Sequence, residues 1–326
     1  MDRAVSVRAP LRISLGGGGT DLPSYYRENG GFVLSSAIDR YIRVRIRPAT
    51  GDRYRLDHLE VEEVEEPGAI EHPILRAAFG RHWPGGPVEL VSDGAVPPGT
   101  GLGSSGSYTV AAVKALVLAA GRDMGPAELA EAACEIELGD LGRTVGKQDQ
   151  YAAAHGGVNA LSFGSDGSVG VRRVTLDVVT RTAMEERFLL FGAGGGRSAA
   201  DILAGQVERT MAGDSALQRN LARNGELARA ACAALEAGEP DRLGELLDEQ
   251  WALKRERLPD VAMEPVEGLR AVARGAGAHG ATLVGAGGGG FLLVCAPDPE
   301  RMRTAFTAAG VPELTFGLDD RGCVEE

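Results

Sequence analysis

Pro97-Pro98-Gly99-Thr100-Gly101-Leu102-Gly103-Ser104-Ser105-Gly106-Ser107 runs straight into an apolar helical pattern, Tyr108 to Ala120, and this junction decides how the chain is read. Glycines let backbone come close to a ligand. The unpaired N–H groups of a helix start, with the helix dipole behind them, favour an anion. The pattern predicts a phosphate cradle of the kind that takes a nucleoside triphosphate, with hydroxyls in reach of phosphate oxygens or of a bound Mg2+. The candidate nucleotide contacts are Pro98, Gly99, Gly101, Gly103, Ser104, Ser105, Gly106 and Ser107.

Two other glycine patterns compete. Gly101, Gly103 and Gly106 satisfy G-x-G-x-x-G, a weak signal alone. A dinucleotide fold wants a buried strand leading directly into the glycines. Here Pro97 and Pro98 intervene after the half-polar run Val88 to Val91, and prolines break a strand ladder. A P-loop is absent as well: Gly142 to Gln148 is one residue short and carries Gln after the lysine. A plain glycine-rich turn before an ordinary helix is the remaining reading.

Composition bounds the function. At 326 residues and 44% hydrophobic, the chain can bury a sizeable core and about two domains are expected. A net charge of −12 disfavours a nucleic-acid partner, which needs clustered Lys and Arg. The acidic run Glu60 to Glu66 reads as solvated surface. Cys134, Cys232, Cys295 and Cys323 lie far apart, with no C-x-x-C, so neither a disulfide framework nor a zinc site is indicated; Cys134 and Cys295 read as buried small hydrophobes. No signal peptide and no apolar run of about 18 residues is seen, so a soluble cytoplasmic protein, monomer or homodimer, is expected.

Along the chain, alternation predicts strands at Ala4 to Arg8, Gly30 to Ile38 and Tyr41 to Arg47. Helical patterns follow at Ile74 to Phe79, Tyr108 to Ala120 and Ala127 to Leu138. A β pair is expected at Asn159 to Phe163 and Gly170 to Val174, and a strand at Arg187 to Phe191. Ala199 to Ala237 is helix-forming, broken near Gly213-Asp214, and amphipathic helices follow at Asp241 to Arg255 and Val266 to Ala278. Thr282 to Gly290 reads as a glycine-rich turn feeding the buried strand Phe291 to Cys295. The domain boundary is expected within Asp166 to Thr182, giving an N-terminal domain over 1–175 and a C-terminal domain over 176–326.

Two further blocks flank the central loop: Arg8-Ala9-Pro10-Leu11-Arg12-Ile13-Ser14-Leu15-Gly16-Gly17-Gly18-Gly19-Thr20-Asp21 and Gly285-Ala286-Gly287-Gly288-Gly289-Gly290-Phe291. With all three in order over almost the whole chain, the sequence resembles the GHMP kinase superfamily. Gly146-Lys147-Gln148-Asp149-Gln150-Tyr151 and the region of Trp251 and Lys254 are similar to its heptose 7-phosphate kinase branch. The resemblance implies a two-domain α+β fold, with an N-terminal half like a ribosomal-protein S5 domain and a ferredoxin-like C-terminal half. It also implies ATP and Mg2+ in the cleft between them.

The same resemblance implies roles. Asp149 is the expected catalytic base; the competing reading is a helix N-cap. Arg12 is expected beside it, stabilising the transferring phosphoryl group. Ser105 and Glu137 are the expected Mg2+ ligands, with Glu131 and Glu135 as competitors for Glu137. Gly18, Thr20, Asp21, Gly288 and Gly289 are expected at the substrate. The heptose kinases usually carry a lysine where Thr282 stands here, so Lys147 and Arg197 are the candidate contacts to a substrate phosphate. The glycine-rich run Phe191 to Ser198 is a second departure. The implied reaction is ATP-dependent phosphorylation of a sugar hydroxyl. A heptose 7-phosphate, at its anomeric hydroxyl, is the best single acceptor; another sugar phosphate or a cyclitol is the alternative. A catalytically silent relative and a nicotinamide-dependent dehydrogenase are the rivals from other classes.

Overall fold

A computed structural model describes residues 3–97, 99–195, 199–258 and 264–326. The N-terminal half contains β1 (Val5–Gly16), α1 (Pro23–Asn29), β2 (Gly31–Pro48), β3 (Tyr54–Asp57), β4 (Val61–Val64), α2 (Pro73–His82), β5 (Val88–Gly94), α3 (Ser104–Ala119), α4 (Pro126–Cys134), α5 (Gln148–His155), β6 (Val158–Phe163) and β7 (Val169–Arg173). A π-helical turn, Glu135–Asp140, prolongs α4. The C-terminal half contains α6 (Val178–Arg187), β8 (Phe188–Gly194), α7 (Ala199–Met211), α8 (Ser215–Glu236), α9 (Pro240–Arg257), α10 (Glu264–Gly275), β9 (Gly280–Leu283), β10 (Gly290–Cys295), α11 (Pro299–Ala308), β11 (Glu313–Leu314) and β12 (Val324–Glu325).

The first sheet runs β12-β1-β2-β5-β3-β4. The strand expected over Ala4 to Arg8 continues through Pro10 to Gly16, because Leu11, Ile13 and Leu15 keep the inward alternation of Val5, Val7 and Ala9. The two strands expected between Gly30 and Arg47 are one 18-residue strand, β2. It is bulged where Pro10 pairs with Tyr41 and Leu11 with Ile38, so Asp39 and Arg40 are the extra residues. Its first half pairs with β6 and its second with β5. The acidic run falls partly on β4, an edge strand whose two central glutamates, Glu62 and Glu63, suit an edge.

Four strands, β11-β8-β10-β9, make a second, antiparallel sheet. Phe191 of β8 stacks on Phe306 of α11 at 3.7 Å between ring centroids, joining sheet to helix. Val178 and Val179 are exposed at the start of α6, which no apolar periodicity announced.

The main core does not stop at the middle of the chain. Leu227, Ala228, Ala231 and Leu235 of α8, and Leu243, Leu246 and Leu247 of α9, belong to the same apolar cluster as β1 and β2. The tail also returns: Asp319 accepts from Tyr41 Oη (3.0 Å), and β12 pairs with β1. The chain boundary expected at 175/176 falls in the β7–α6 loop, while the core runs past it in space.

Candidate active site

The central loop ends as the sequence predicts, at a helix start. Gly103 is the N-cap of α3, in the left-handed region, and no side chain caps the first turn. The first N–H groups of α3 therefore point into the cleft without a side-chain acceptor, as an anion site requires. Gly99, Gly101, Gly103, Ser104 and Ser105 line that cleft, and Gly285 and Ala286 line it from the opposite half. Gly288 and Gly289 stand half-exposed outside the lining. Pro98 and Arg197 lie outside the described residues.

Asp149 is the second residue of α5, not its cap; Lys147 holds that position. Its Oδ1 accepts from Nε of Arg12 at 2.7 Å and pairs with Nη2 at 2.7 Å. Arg12, only 4% exposed on β1, also donates to the Gly101 carbonyl. One guanidinium thus ties the phosphate loop to the carboxylate. Charge-assisted bonds of this kind are short and directional. Gly106 permits the approach: a Cβ there would come within 2.6 Å of the Asp149 Cβ.

Asp21 is buried beside this pair. Its Oδ1 accepts from Gly19 N (3.0 Å) and its Oδ2 from Gln148 N (3.3 Å). Burial, and then the charge of Asp149, push its carboxyl above the usual carboxylate range. Gly146 is required where it stands, since a Cβ would sit 1.8 Å from Asp21 Oδ2. Gly18 lines the cleft with Asp21, and its carbonyl accepts from Asn224 Nδ2 of α8 (3.0 Å).

Glu137 projects from the π-helical turn and is 1% exposed. Ser105 Oγ donates to its Oε2 (2.7 Å), while Thr109 Oγ1 (3.1 Å) and Gln150 Nε2 (2.9 Å) donate to its Oε1. Ser105 lines the cleft and Glu137 lies buried behind it; a hydroxyl and a carboxylate so paired are hard oxygen donors that fit Mg2+, which takes few protein ligands and completes its shell with phosphate and water. No cluster of three or more His, Cys, Asp or Glu that could hold a metal is found among the described residues, so a more heavily liganded ion has no comparable site there. Glu131 instead binds Lys147, and Glu135 pairs with Arg81.

Three expected contacts are turned elsewhere. Lys147 does not reach the cleft: Glu131 Oε1 (2.9 Å) and the Gly167 carbonyl (3.0 Å) take its ammonium. Ser107 is fully buried and donates to the Pro10 carbonyl (2.7 Å), fixing α3 on β1 rather than facing a nucleotide. Thr20 is buried, its hydroxyl lying against the Gly17 and Phe32 carbonyls and accepting from Phe32 N, which shapes the loop from within.

The cleft also holds two cations the pattern had not assigned to it. Lys254 and Arg257 lie on α9 and keep part of their surface toward the cleft while their charged ends sit deep. Lys254 donates to the Gly285 carbonyl (2.9 Å) and to that of Leu283. Burial, with the charges of Arg257 and Arg12, pushes its ammonium down to about 7. Arg257 donates to Asn220 Oδ1 (2.9 Å), and burial lowers it to about 10, so it stays charged near neutrality. Neither forms an ion pair with a carboxylate among the described residues. A signal did exist in the sequence: Lys254 is seven residues after Leu247, on the stripe α9 otherwise fills with Leu243, Leu246, Leu247 and Trp251. A cation on a buried stripe asks for a partner. Gln148 adds an Oε1 that is buried without a hydrogen bond.

A helix start aimed into a cleft, opposite an arginine–carboxylate pair, has the layout of a phosphotransferase of small molecules. Models of the GHMP kinases N terminal domain and the GHMP kinases C terminal region match residues 69–157 and 217–311. A D-glycero-alpha-D-manno-heptose 7-phosphate kinase of Campylobacter jejuni is 28% identical over 310 residues, 89% of each chain. A bifunctional fucokinase/GDP-fucose pyrophosphorylase of Arabidopsis thaliana is 26% identical over 328 residues, 92% of this chain and 30% of that protein. The crystal structure of a D-glycero-D-manno-heptose 1-phosphate kinase from Bacteroides thetaiotaomicron has the same fold, with a TM-score of 0.80 and 24% identity over 99% of this chain and 98% of that one. The chain belongs to the GHMP kinases and is an ATP-dependent sugar kinase of that family.

Proposed function

We propose that this kinase phosphorylates a sugar that already carries a phosphate, and that a heptose 7-phosphate, at its anomeric hydroxyl, is the acceptor. The observation that carries the reading is the pair Lys254 and Arg257. Two deep cations without a carboxylate partner among the described residues suit an anionic substituent on the acceptor.

The chemistry follows from the residues at the other end of the cleft. The acceptor hydroxyl oxygen attacks the γ-phosphorus of ATP, the bond to the β–γ bridging oxygen breaks, and ADP leaves. Asp149 takes the hydroxyl proton, held in place by Arg12 at 2.7 Å. Arg12 and the free N–H groups at the start of α3 stabilise charge on the phosphoryl oxygens. Asp21 and Gln148 orient the sugar hydroxyls. Ser105 and Glu137 would hold Mg2+, which neutralises phosphate charge when bound.

Thr282, buried at the cleft where the heptose kinases usually carry lysine, favours a second reading: a different sugar phosphate or a cyclitol phosphate. Turnover of labelled ATP across heptose, hexose and cyclitol acceptors, each with and without a phosphate, separates the readings. The proposal expects measurable turnover only with phosphorylated acceptors, greatest with heptose 7-phosphate. Equal turnover of a sugar and its phosphate would remove Lys254 and Arg257 from the argument.

A further inference from the structure

The two oxygens assigned to the metal already have a cation on them. Arg143, in the loop between the π-helical turn and α5, donates through Nη1 to Ser105 Oγ (2.9 Å) and to Glu137 Oε2 (3.3 Å). Its backbone N–H donates to the Glu137 carbonyl (2.8 Å), so the main chain is fixed while the side chain, about one-third exposed, is free to leave. Glu137 is almost wholly buried, and a buried carboxylate without a cation is costly. Two cations cannot share the same pair of oxygens without repelling each other.

We propose that Arg143 is a resident counter-ion of the metal site, holding Ser105 and Glu137 in position without nucleotide and giving them up when a divalent cation arrives. The inference rests on the Mg2+ role proposed for Ser105 and Glu137. Arg143 acts here as a positioning residue. It keeps the buried carboxylate paired and aimed, so the site is built before the nucleotide enters, and metal binding is an exchange of one cation for another. The exchange also couples the metal to the base, because Gln150, next to Asp149 on α5, donates to the other oxygen of Glu137.

Competition makes the prediction specific: removing the competitor tightens metal binding while weakening the metal-free protein. In EDTA, Arg143→Gln should melt several degrees below wild type, and Arg143→Lys close to it. In a Mg2+ titration without nucleotide, the melting temperature of Arg143→Gln should rise at a metal concentration about five- to tenfold lower than for wild type. In wild-type protein labelled with 15N at arginine side chains, Mg2+ should shift one Nε–Hε resonance, the one missing from Arg143→Lys. This arm stands even where Arg143→Gln does not fold. Glu137→Gln should abolish the metal response. If it does, but Arg143→Gln responds at the wild-type metal concentration and the arginine resonance is unmoved, the counter-ion proposal falls and the metal assignment survives. If Glu137→Gln keeps the metal response, the metal assignment itself falls and takes the exchange with it.

Discussion

Asp149 and Gly146 divide the labour at the residue scale. The sequence left Asp149 between a cap and a base; Lys147 takes the cap position and Arg12 binds the carboxylate, the arrangement on which the proposed role of base rests. Asp149→Asn keeps shape and hydrogen bonding but cannot accept the proton. It should lower kcat by about 100- to 10,000-fold while ADP affinity, measured by calorimetry, changes little. Wild-type turnover by that variant would move the base elsewhere. Gly146→Ala tests the frame instead. Its Cβ would overlap Asp21 Oδ2, forcing a shift that should cost about 1–3 kcal/mol of stability, read in denaturant melts, together with a lower kcat. The glycine was legible as part of a motif, but its cause was not, because the carboxylate it accommodates is 125 positions away in the chain.

At the scale of elements, local pattern carried some features and long-range partners decided the others. The start of α3 was readable because glycine punctuation followed by an apolar run is a local signal. β3, β4 and α6 were not, since two four-residue strands and a helix that exposes Val178 and Val179 while burying Ala183 and Met184 lack a clean period. Lys147 was placed at the substrate because it neighbours Asp149, yet successive helix residues face different sides, and its ammonium went to Glu131. Besides Arg12 of β1, the cations that line the cleft among the described residues, Lys254 and Arg257, come from α9. Lys254→Met or Arg257→Met should raise KM for a phosphorylated acceptor about 10- to 100-fold, the worth of a charged hydrogen bond, and leave KM for ATP near its wild-type value. The pH dependence has a definite sign. In the folded protein Lys254 is held at about 7, below its ordinary 10.5. The free enzyme therefore loses this charge as pH rises through about 7, and log kcat/KM for a phosphorylated acceptor should fall above that point. The limb should vanish in Lys254→Met. Folding stability moves the opposite way: between about 7 and 10.5 the unfolded chain binds the proton that the folded one releases, so this group favours the folded state more as pH rises.

For the whole molecule, the two halves share one fold rather than standing side by side. Gln206 of α7, Asn224 of α8 and Gln250 of α9 donate to the carbonyls of Gly19, Gly18 and Leu15, so the C-terminal half holds the N-terminal glycine block in shape. α8 packs on β1 and β2 of the first sheet, and α9 packs on α8 and on β9 of the second, so their leucines join one apolar cluster that spans both sheets; Asp319 and β12 close the edge of the first. A division near residue 175 was reasonable from sequence, because the Asp166 to Thr182 region opens on turn chemistry and runs past the end of the expected β pair. Nothing local announced that helices from beyond it would supply the core of the sheet before it. Each buried leucine contributes about 1.5–3 kcal/mol. Losing Leu227, Leu235, Leu243, Leu246 and Leu247 together would remove about as much as the entire net stability of a domain, about 5–15 kcal/mol. A fragment of residues 1–175 should therefore show no cooperative thermal transition by circular dichroism, although it carries the phosphate loop, Arg12 and Asp149. A milder cut, ending the chain at Phe316, removes Asp319 and β12 but keeps α8 and α9. It should still melt cooperatively, at a lower temperature. A cooperative transition of the 1–175 fragment near the wild-type temperature would show that its half carries a sufficient core of its own.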